Sequence, residues 1–387
     1  MPTWMTPKLI DPLLRSLLQS ELSAYRGVPL SAISDAPAID SLERLYLASS
    51  VAEFFCLHET GSEDRLLMKE GVDAWTELIA QAVAYTSGLV FRTSGSTGDP
   101  KACHHRWADI EAEAQALHQR ICERITPERV VAWLPLHHLY GFMLGVAYPA
   151  FNDVEMVVAD KTLPTLQEGD VVVTVPPRWT YLAKTRTDWP SSVLGVSSTA
   201  PLPSDVAERL SQQSLSQQSL SQQRIAAVME IYGSSETGGV ATRFHHDAPF
   251  TLLSHWQQAT ADTLTAADAR DHAVNLPDRV VWEDTRRFTL AGRHDDVVSI
   301  GGVNVSPAAV AREIEAIPEV RQCAVRPTQA GNGQVRLKAF VVPTDPSRDI
   351  AEHIDATLDA WPAAKRPIAI TYGDALPTNA MGKLTDW

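Results

Sequence analysis

Runs dominated by β-branched and apolar residues recur along the first three-quarters of the chain, at 130–133, 154–158 and 171–175, with longer stretches of mixed polarity between them. Runs that are apolar at nearly every position, rather than every second one, are expected of strands covered on both faces. Ahead of the first run, 109–125 interleaves apolar residues with Glu111, Glu113, Gln115 and Gln119, which predicts a helix. The alternation predicts an α/β fold whose large amino-terminal domain carries mostly parallel sheets flanked by helices.

The pattern changes near residue 290. A strand-like 287–290 is followed by Gly292, Arg293 and the acids Asp295 and Asp296, then by a turn at Gly301 and Gly302. Ser306 and Pro307 open a helix with Val310, Ile314 and Ile317 at helical spacing, and strands follow at 323–325 and 337–342. The expected division is a shortened core domain over 1–293 and a small, mobile α+β domain over 294–387. At 211–223 the chain repeats Ser-Gln-Gln-Ser-Leu with a period that suits neither helix nor strand, and this reads as an expansion in a surface segment without a catalytic role.

At 387 residues the chain is too long for one small core and fits this two-part reading. Its composition, 44% hydrophobic and 21% charged, is that of a soluble globular protein. No apolar stretch approaches the roughly 20 residues of a membrane span, and Asp11 and Glu21 lie where a signal-peptide core would be sought, so a cytoplasmic protein is expected. A formal charge of −14 disfavours nucleic acid, whose phosphates need a basic face, but leaves room for a nucleotide in a locally basic pocket. Cys56, Cys103, Cys122 and Cys323 show no Cys-x-x-Cys spacing and predict neither a disulfide framework nor a zinc site. The three His-His pairs beginning at His104, His137 and His245 would point to opposite faces of a strand, with no carboxylate at zincin spacing, and are not read as metal ligands.

Candidate chemistry begins directly after the apolar run at 87–91. The segment 93–101 gathers the hydroxyls of Thr93, Ser94, Ser96 and Thr97, the glycines Gly95 and Gly98, and Lys101. Glycines let several N–H groups turn toward one anion, hydroxyls add neutral donors, and lysine adds a mobile charge, so the segment reads as a phosphate-handling loop. It is not a Walker-type loop: Lys101 follows Pro100 and precedes Ala102, so the magnesium-binding hydroxyl is missing. A second cluster, with Tyr232, Gly233, Ser234, Glu236 and Thr237, sets an aromatic ring able to stack on a base beside hydroxyls and a carboxylate able to hold magnesium.

The segment 93–101 resembles, residue for residue, the signature of the adenylate-forming superfamily of acyl-CoA synthetases, aryl-acid ligases, peptide-synthetase adenylation domains and luciferases. Residues 232–236 resemble the family's Tyr-Gly-x-Thr-Glu motif, with Ser235 in place of threonine. Residues 197–202 resemble its adenine-lining turn, implying nucleotide contacts from Ser198, Thr199 and Ala200, although Ser198 replaces a glycine. Residues 134–141 resemble the segment that closes the carboxylate pocket, which implies His138 in that role beside Tyr140, Gly141 and Ser198. Asp278 and Arg293 keep the family's spacing for the ribose-binding acid and the motif arginine, though Asp278 lacks the usual Thr-Gly before it. Residues 377–383 resemble the motif that carries the catalytic lysine, here Lys383.

The resemblance implies a two-step reaction. A carboxylate attacks the α-phosphate of ATP to give an acyl-adenylate and pyrophosphate, assisted by Thr93, Lys383 and Mg2+ on Glu236. A thiol, from CoA or the phosphopantetheine of an acyl carrier protein, then displaces AMP. The resemblance further implies that the small domain rotates about a hinge at Asp295, withdrawing Lys383 and bringing Gly302 toward the thiol channel. Partly aromatic candidate walls at His138, Tyr140 and 177–179 favour a small aromatic acid, and the acidic balance of the chain leans toward a carrier protein over CoA. Fewer residues precede Thr93, and lie between Arg243 and Asp278, than family members usually carry, which predicts a compact variant. The alternatives are a medium-chain acyl-CoA or acyl-carrier-protein synthetase, and a catalytically reduced nucleotide-binding relative acting as a partner protein.

Overall fold

The computed structural model describes residues 4–92, 101–186, 188–190, 192–211, 225–267, 273–293, 298–300, 303–330, 335–347 and 349–387. Helix α1 (Pro7–Arg26) begins with a proline in its first turn, where the missing N–H costs nothing, and stops at Gly27 with φ 66°. Its Ile10, Leu13, Leu14, Leu17, Leu18 and Leu22 recur every three or four residues and are all buried. Helix α2 (Ser41–Phe54) opens with a capping box, in which Asp40 accepts the Glu43 N–H and Glu43 accepts the Asp40 N–H. With α3 (Glu63–Leu67) and α4 (Val72–Ala82), these helices close over Phe55, Leu57, Trp75 and Ile79.

A hairpin follows, β1 (Gly88–Arg92) antiparallel to β2 (Ala102–Arg106), so the strand read ahead of the phosphate loop pairs with the strand behind it. Helix α5 (Trp107–Cys122) is the helix expected over 109–125. The main sheet of this unit then forms from β3 (Arg129–Ala132), β4 (Glu155–Val158), β5 (Asp170–Thr174), β6 (Leu194–Ser197), β7 (Ala227–Ser234), β8 (Gly238–Arg243) and β9 (Phe250–Leu252), in spatial order β9-β8-β7-β6-β5-β3-β4. From β4 to β7 every pairing is parallel, and β8 and β9 add an antiparallel margin. The expected mostly parallel sheet is present.

Alternation along β3 explains the layers. Ala132 faces the core shared with α1, α5 and α6 (Leu139–Phe142), while Val131 and Trp133 face a second core under α8 (Pro176–Thr185) and α9 (Ser204–Ser211), with α7 (Tyr148–Asn152) completing the first layer. At the amino end of the strands, Arg129 holds the fully buried Asp170 in two 2.8 Å bonds. The opposite, carboxyl edge is where open α/β sheets place their ligands.

By proximity the chain forms two compact units, Met1–Gln257 with Thr265–His272, and Gln258–Leu264 with Ala273–Trp387. Between them in sequence run β10 (Trp256–Gln258), β11 (Thr263–Ala266) and β12 (Ala273–Asn275). The second unit holds a hairpin of β13 (Asp278–Trp282) and β14 (Arg287–Arg293), then a hairpin of β15 (Val298–Ile300) and β16 (Val303–Val305). Helices α10 (Pro307–Glu315) and α11 (Ala351–Asp359) pack on a sheet of β17 (Val320–Gln329), β18 (Val335–Pro343) and β19 (Pro367–Tyr372) around Val310, Ile314, Leu337 and Ile354. Ser306 caps α10 by accepting the Ala309 N–H, as its sequence predicts.

Candidate functional site

Three loops meet at the carboxyl edge of the parallel strands. The first follows β3: His138 stands at the N-cap position of α6 without a side-chain cap bond, and its ring lies 4.3 Å from that of His137. Tyr140 reaches sideways, its hydroxyl donating to the carbonyls of Thr174 (3.1 Å) and Val196 (3.0 Å) at the ends of β5 and β6. Burial pushes that phenol well above its ordinary pKa, so it serves as a neutral donor that ties two strand ends together. Gly141 is buried in α6, where a Cβ would sit 2.1 Å from the Pro135 carbonyl oxygen. At the start of α8, the half-buried Arg178 lies over the Trp133 ring and donates to the Trp133 carbonyl, while Trp179 is fully buried beneath the sheet.

The second loop follows β6. Ser198 donates its hydroxyl to the Ile231 carbonyl at 2.9 Å, a bond to β7 that the family's usual glycine could not make. Thr199 has φ 79°, a left-handed conformation that costs a β-branched residue roughly 1–3 kcal/mol and tends to concentrate at functional sites. Glu230 on β7 fixes the loop from below, accepting the Leu202 N–H while Arg243 grips its two oxygens at 3.0 and 3.1 Å. Ala200 is exposed in the same turn.

The third loop joins β7 to β8. Strand β7 runs on through Tyr232, Gly233 and Ser234, so the turn is shorter than expected and consists of 235–237. Gly233 faces Gly239 across a register shift, and a Cβ there would sit 2.1 Å from the Gly238 carbonyl oxygen, so only glycine lets the strands close this far. Ser234 and Thr237 exchange hydroxyl and backbone bonds of 3.1–3.2 Å across the turn. Glu236 is left exposed at its tip. Tyr232 departs from expectation: it is 8% exposed with its ring 5.9 Å from Phe250, buried in the sheet margin instead of open for stacking on a base.

Of the phosphate loop, Thr93, Ser94, Gly95, Ser96, Thr97 and Gly98 lie outside the described residues. Its flanks are firm. Arg92 pairs with Glu53, and Phe91 packs against Phe54, Phe142 and the His105 ring. Lys101 is exposed at the start of β2. The His104–His105 pair splits as strand alternation requires: His104 bonds the Ser87 hydroxyl, and His105 turns inward, its Nε2 2.7 Å from the Ser235 carbonyl. Cys56, Glu59 and His104 approach one another within 4.8 Å, but both Glu59 oxygens and His104 Nε2 are engaged by Ser87.

In the second unit, Asp278 and Arg293 stand directly opposite one another in the β13–β14 register, so the spacing between them is that of a hairpin. Lys383 is exposed on a turn built by Asn379, whose side-chain oxygen accepts the N–H groups of Met381 (2.9 Å) and Lys383 (3.0 Å). Arg326 holds the carbonyls of Leu384 and Thr385 at 2.8 Å, and the Trp387 ring lies against Phe340, so this segment is docked on its sheet and not frayed. Asp295 and Gly302 lie outside the described residues.

A strand-edge site of hydroxyls, strained backbone and one exposed carboxylate, with a separate unit bearing a lysine turn, has the parts of an acid-activating ligase. The family model described as AMP-binding enzyme matches residues 73–265. The chain is 42% identical over 396 residues to a 4-coumarate–CoA ligase of Halorhodospira halophila, covering 96% of this chain and 97% of that one. It is 32% identical to the 4-coumarate–CoA ligase of Rhodobacter capsulatus, over 98% of this chain and all of that one. Among solved structures, ATP-bound MatB from Rhodopseudomonas palustris superposes with a TM-score of 0.59 at 18% identity, covering 97% of this chain and 91% of that chain. The chain belongs to the adenylate-forming superfamily. It is an ATP-dependent, AMP-forming acid–thiol ligase that activates a carboxylic acid as its acyl-adenylate before passing the acyl group to a thiol. Among the described residues, no helix is long and apolar enough to cross a membrane.

Proposed function

We propose that this ligase activates a small aromatic acid of the 4-hydroxycinnamate type and transfers it to CoA. The near-full-length likeness to two 4-coumarate–CoA ligases carries this reading. It replaces the lean toward a carrier protein drawn from net charge, because net charge does not report on one local docking patch. The aromatic surroundings of the first loop, Tyr140 over the strand ends and Trp133 under Arg178, agree with a flat acyl group.

The residue roles follow the family pattern. Glu236 suits a hard cation: its carboxylate is exposed at a tight turn, and no hydrogen bond is made to it among the described residues. Mg2+ held there would neutralise ATP phosphate charge. Thr93, Ser94, Gly95, Ser96, Thr97, Gly98 and Lys101 are assigned to the pyrophosphate-leaving end of ATP. Ser198, Thr199, Ala200 and the backbone at Gly233 and Ser234 are assigned to adenine, and Asp278 with Arg293 to ribose. His138 closes on the acid, Lys383 acts in adenylate formation, and Asp295 and Gly302 serve the change to thioester formation.

A carboxylic-acid panel of 4-coumarate, 4-hydroxybenzoate and decanoate, read by pyrophosphate release and followed by CoA and a holo carrier protein as acceptors, tests the proposal. Preference for 4-coumarate and CoA is expected. Turnover of decanoate without the aryl acids would overturn the substrate class, and acylation of the carrier alone would overturn the acceptor. Nucleotide binding with no acid turned over would leave a partner protein.

A further inference from the structure

The β2–α5 segment supplies two buried ionisable side chains to which the reaction as described gives no task. His105, 7% exposed, lies in β2 only four positions after Lys101, opposite Leu89 in the hairpin register. Its Nε2 is 2.7 Å from the Ser235 carbonyl, which can only accept, so the ring donates from Nε2. Burial lowers its pKa and keeps the ring neutral, and Phe91 packs edge-on against it.

Glu113, also 7% exposed, is the seventh residue of α5 (Trp107–Cys122) and lies beneath the other end of the 235–239 turn. A Cβ on Gly238 would come within 2.3 Å of Glu113 Oε2, and one on Gly239 within 2.7 Å of Oε1, so this carboxyl touches the backbone of both glycines. One continuous stretch of chain, beginning where the phosphate loop ends, therefore grips the 235–239 turn on both sides of Glu236.

We infer that His105 and Glu113 are positioning residues that clasp the Glu236 turn onto the β2–α5 segment, fixing the height of that carboxylate for its work on ATP. The inference rests on the proposed role of Glu236. It requires no proton transfer by either residue: His105 orients through one donated hydrogen bond, and Glu113 through contact with glycine backbone. A buried histidine that only filled space would affect folding and both half-reactions alike. A clasp on the magnesium-binding turn affects the first half-reaction alone, because a misplacement of about 1 Å in such a site costs up to roughly a hundred-fold.

The test compares His105→Ala, His105→Met and His105→Gln with wild type in the full chain, with Glu236→Gln as reference. Thermal unfolding establishes that each variant is folded. His105→Ala is expected to lower kcat/KM for ATP about ten- to a hundred-fold and to raise the Mg2+ concentration for half-maximal rate several-fold. Thioester formation from a supplied acyl-adenylate should change less than about threefold. His105→Gln, which keeps an N–H donor, should recover most of the loss, and His105→Met, which fills the volume without a donor, should not. Equal loss in both half-reactions, an unchanged Mg2+ requirement, or Met matching Gln would overturn the clasp. If His105→Ala does not fold, the Met and Gln pair decides. An unchanged Mg2+ requirement in Glu236→Gln would instead remove Glu236 from its metal role, a failure separate from that of His105.

Discussion

The turn that presents Glu236 and the turn that presents Lys383 are held in opposite ways. The first is supported from far along the chain: its carbonyl at Ser235 meets a histidine 130 residues away, and its glycines rest on a carboxyl on the buried face of α5. The second is supported by its own neighbours. Asn379 accepts two N–H groups within four residues of itself, and its own N–H bonds the Lys383 carbonyl at 2.8 Å. A turn built into a sheet margin has one position, whereas a turn closed by local bonds keeps its shape wherever its unit is carried. The contrast suits the roles proposed above, a carboxylate working from a fixed frame and a lysine acting in adenylate formation.

The largest expected effect comes from removing the locally held charge. Lys383→Ala should reduce acyl-adenylate formation by about a hundred-fold or more, since a positioned cation at the α-phosphate acts where charge builds. Thioester formation from a supplied acyl-adenylate should be spared. Pyrophosphate release and single-turnover thioester assays separate the two, and matched losses would break the comparison by making the lysine a general support.

A smaller effect probes the turn instead of the charge. Asn379→Ala leaves the N–H groups of Met381 and Lys383 without their partner, at about 1 kcal/mol for each bond. Adenylate formation should fall several-fold, with Asn379→Asp close to wild type because it retains an acceptor oxygen. Unchanged activity in Asn379→Ala would show that the docked tail, through Arg326 and Trp387, holds Lys383 without it.

Strands β3 and β5 were legible as short apolar runs buried almost throughout, and β4, though an exposed strand at the end of the sheet, was legible from its valines; all three fall within a residue or so of the runs that predicted them, whereas β6 was not read. The motif residues were legible one at a time. Their mutual geometry was not: the opposition of Asp278 and Arg293 depends on a hairpin whose turn at 283–286 carries no strong signal, and the strain at Thr199 exists only in the folded backbone. Tyr232 is buried because a motif read as a turn is mostly strand within the sheet. His105 was passed over with the other histidine pairs. Strand alternation at 104–105 assigns one imidazole to the interior, yet only the antiparallel register shows which one and what it meets. The amino-terminal helices α1 to α4 went unread because no motif drew attention to them, although the leucines of α1 recur at helical spacing.

The subtlest prediction concerns the fixed frame itself. Burial pushes the Glu113 carboxyl up to about 8, with the Gly239 N–H as a weaker opposing influence, so the folded protein holds a proton that the unfolded chain has released. Between the ordinary carboxyl value near 4.5 and about 8, the native state binds more protons than the unfolded state, and stability must fall as pH rises through that window. Below it the contribution is complete, and above it the loss has run its course, amounting to roughly 3–5 kcal/mol if the full shift is realised. Glu113→Gln has no proton to release and should flatten this part of the stability profile, gaining on wild type steadily from acid to pH 8. Urea unfolding at pH 5, 6.5 and 8 measures the difference. Parallel profiles would mean that water reaches the carboxyl and that the frame under Glu236 is softer than the contrast with the Lys383 turn requires.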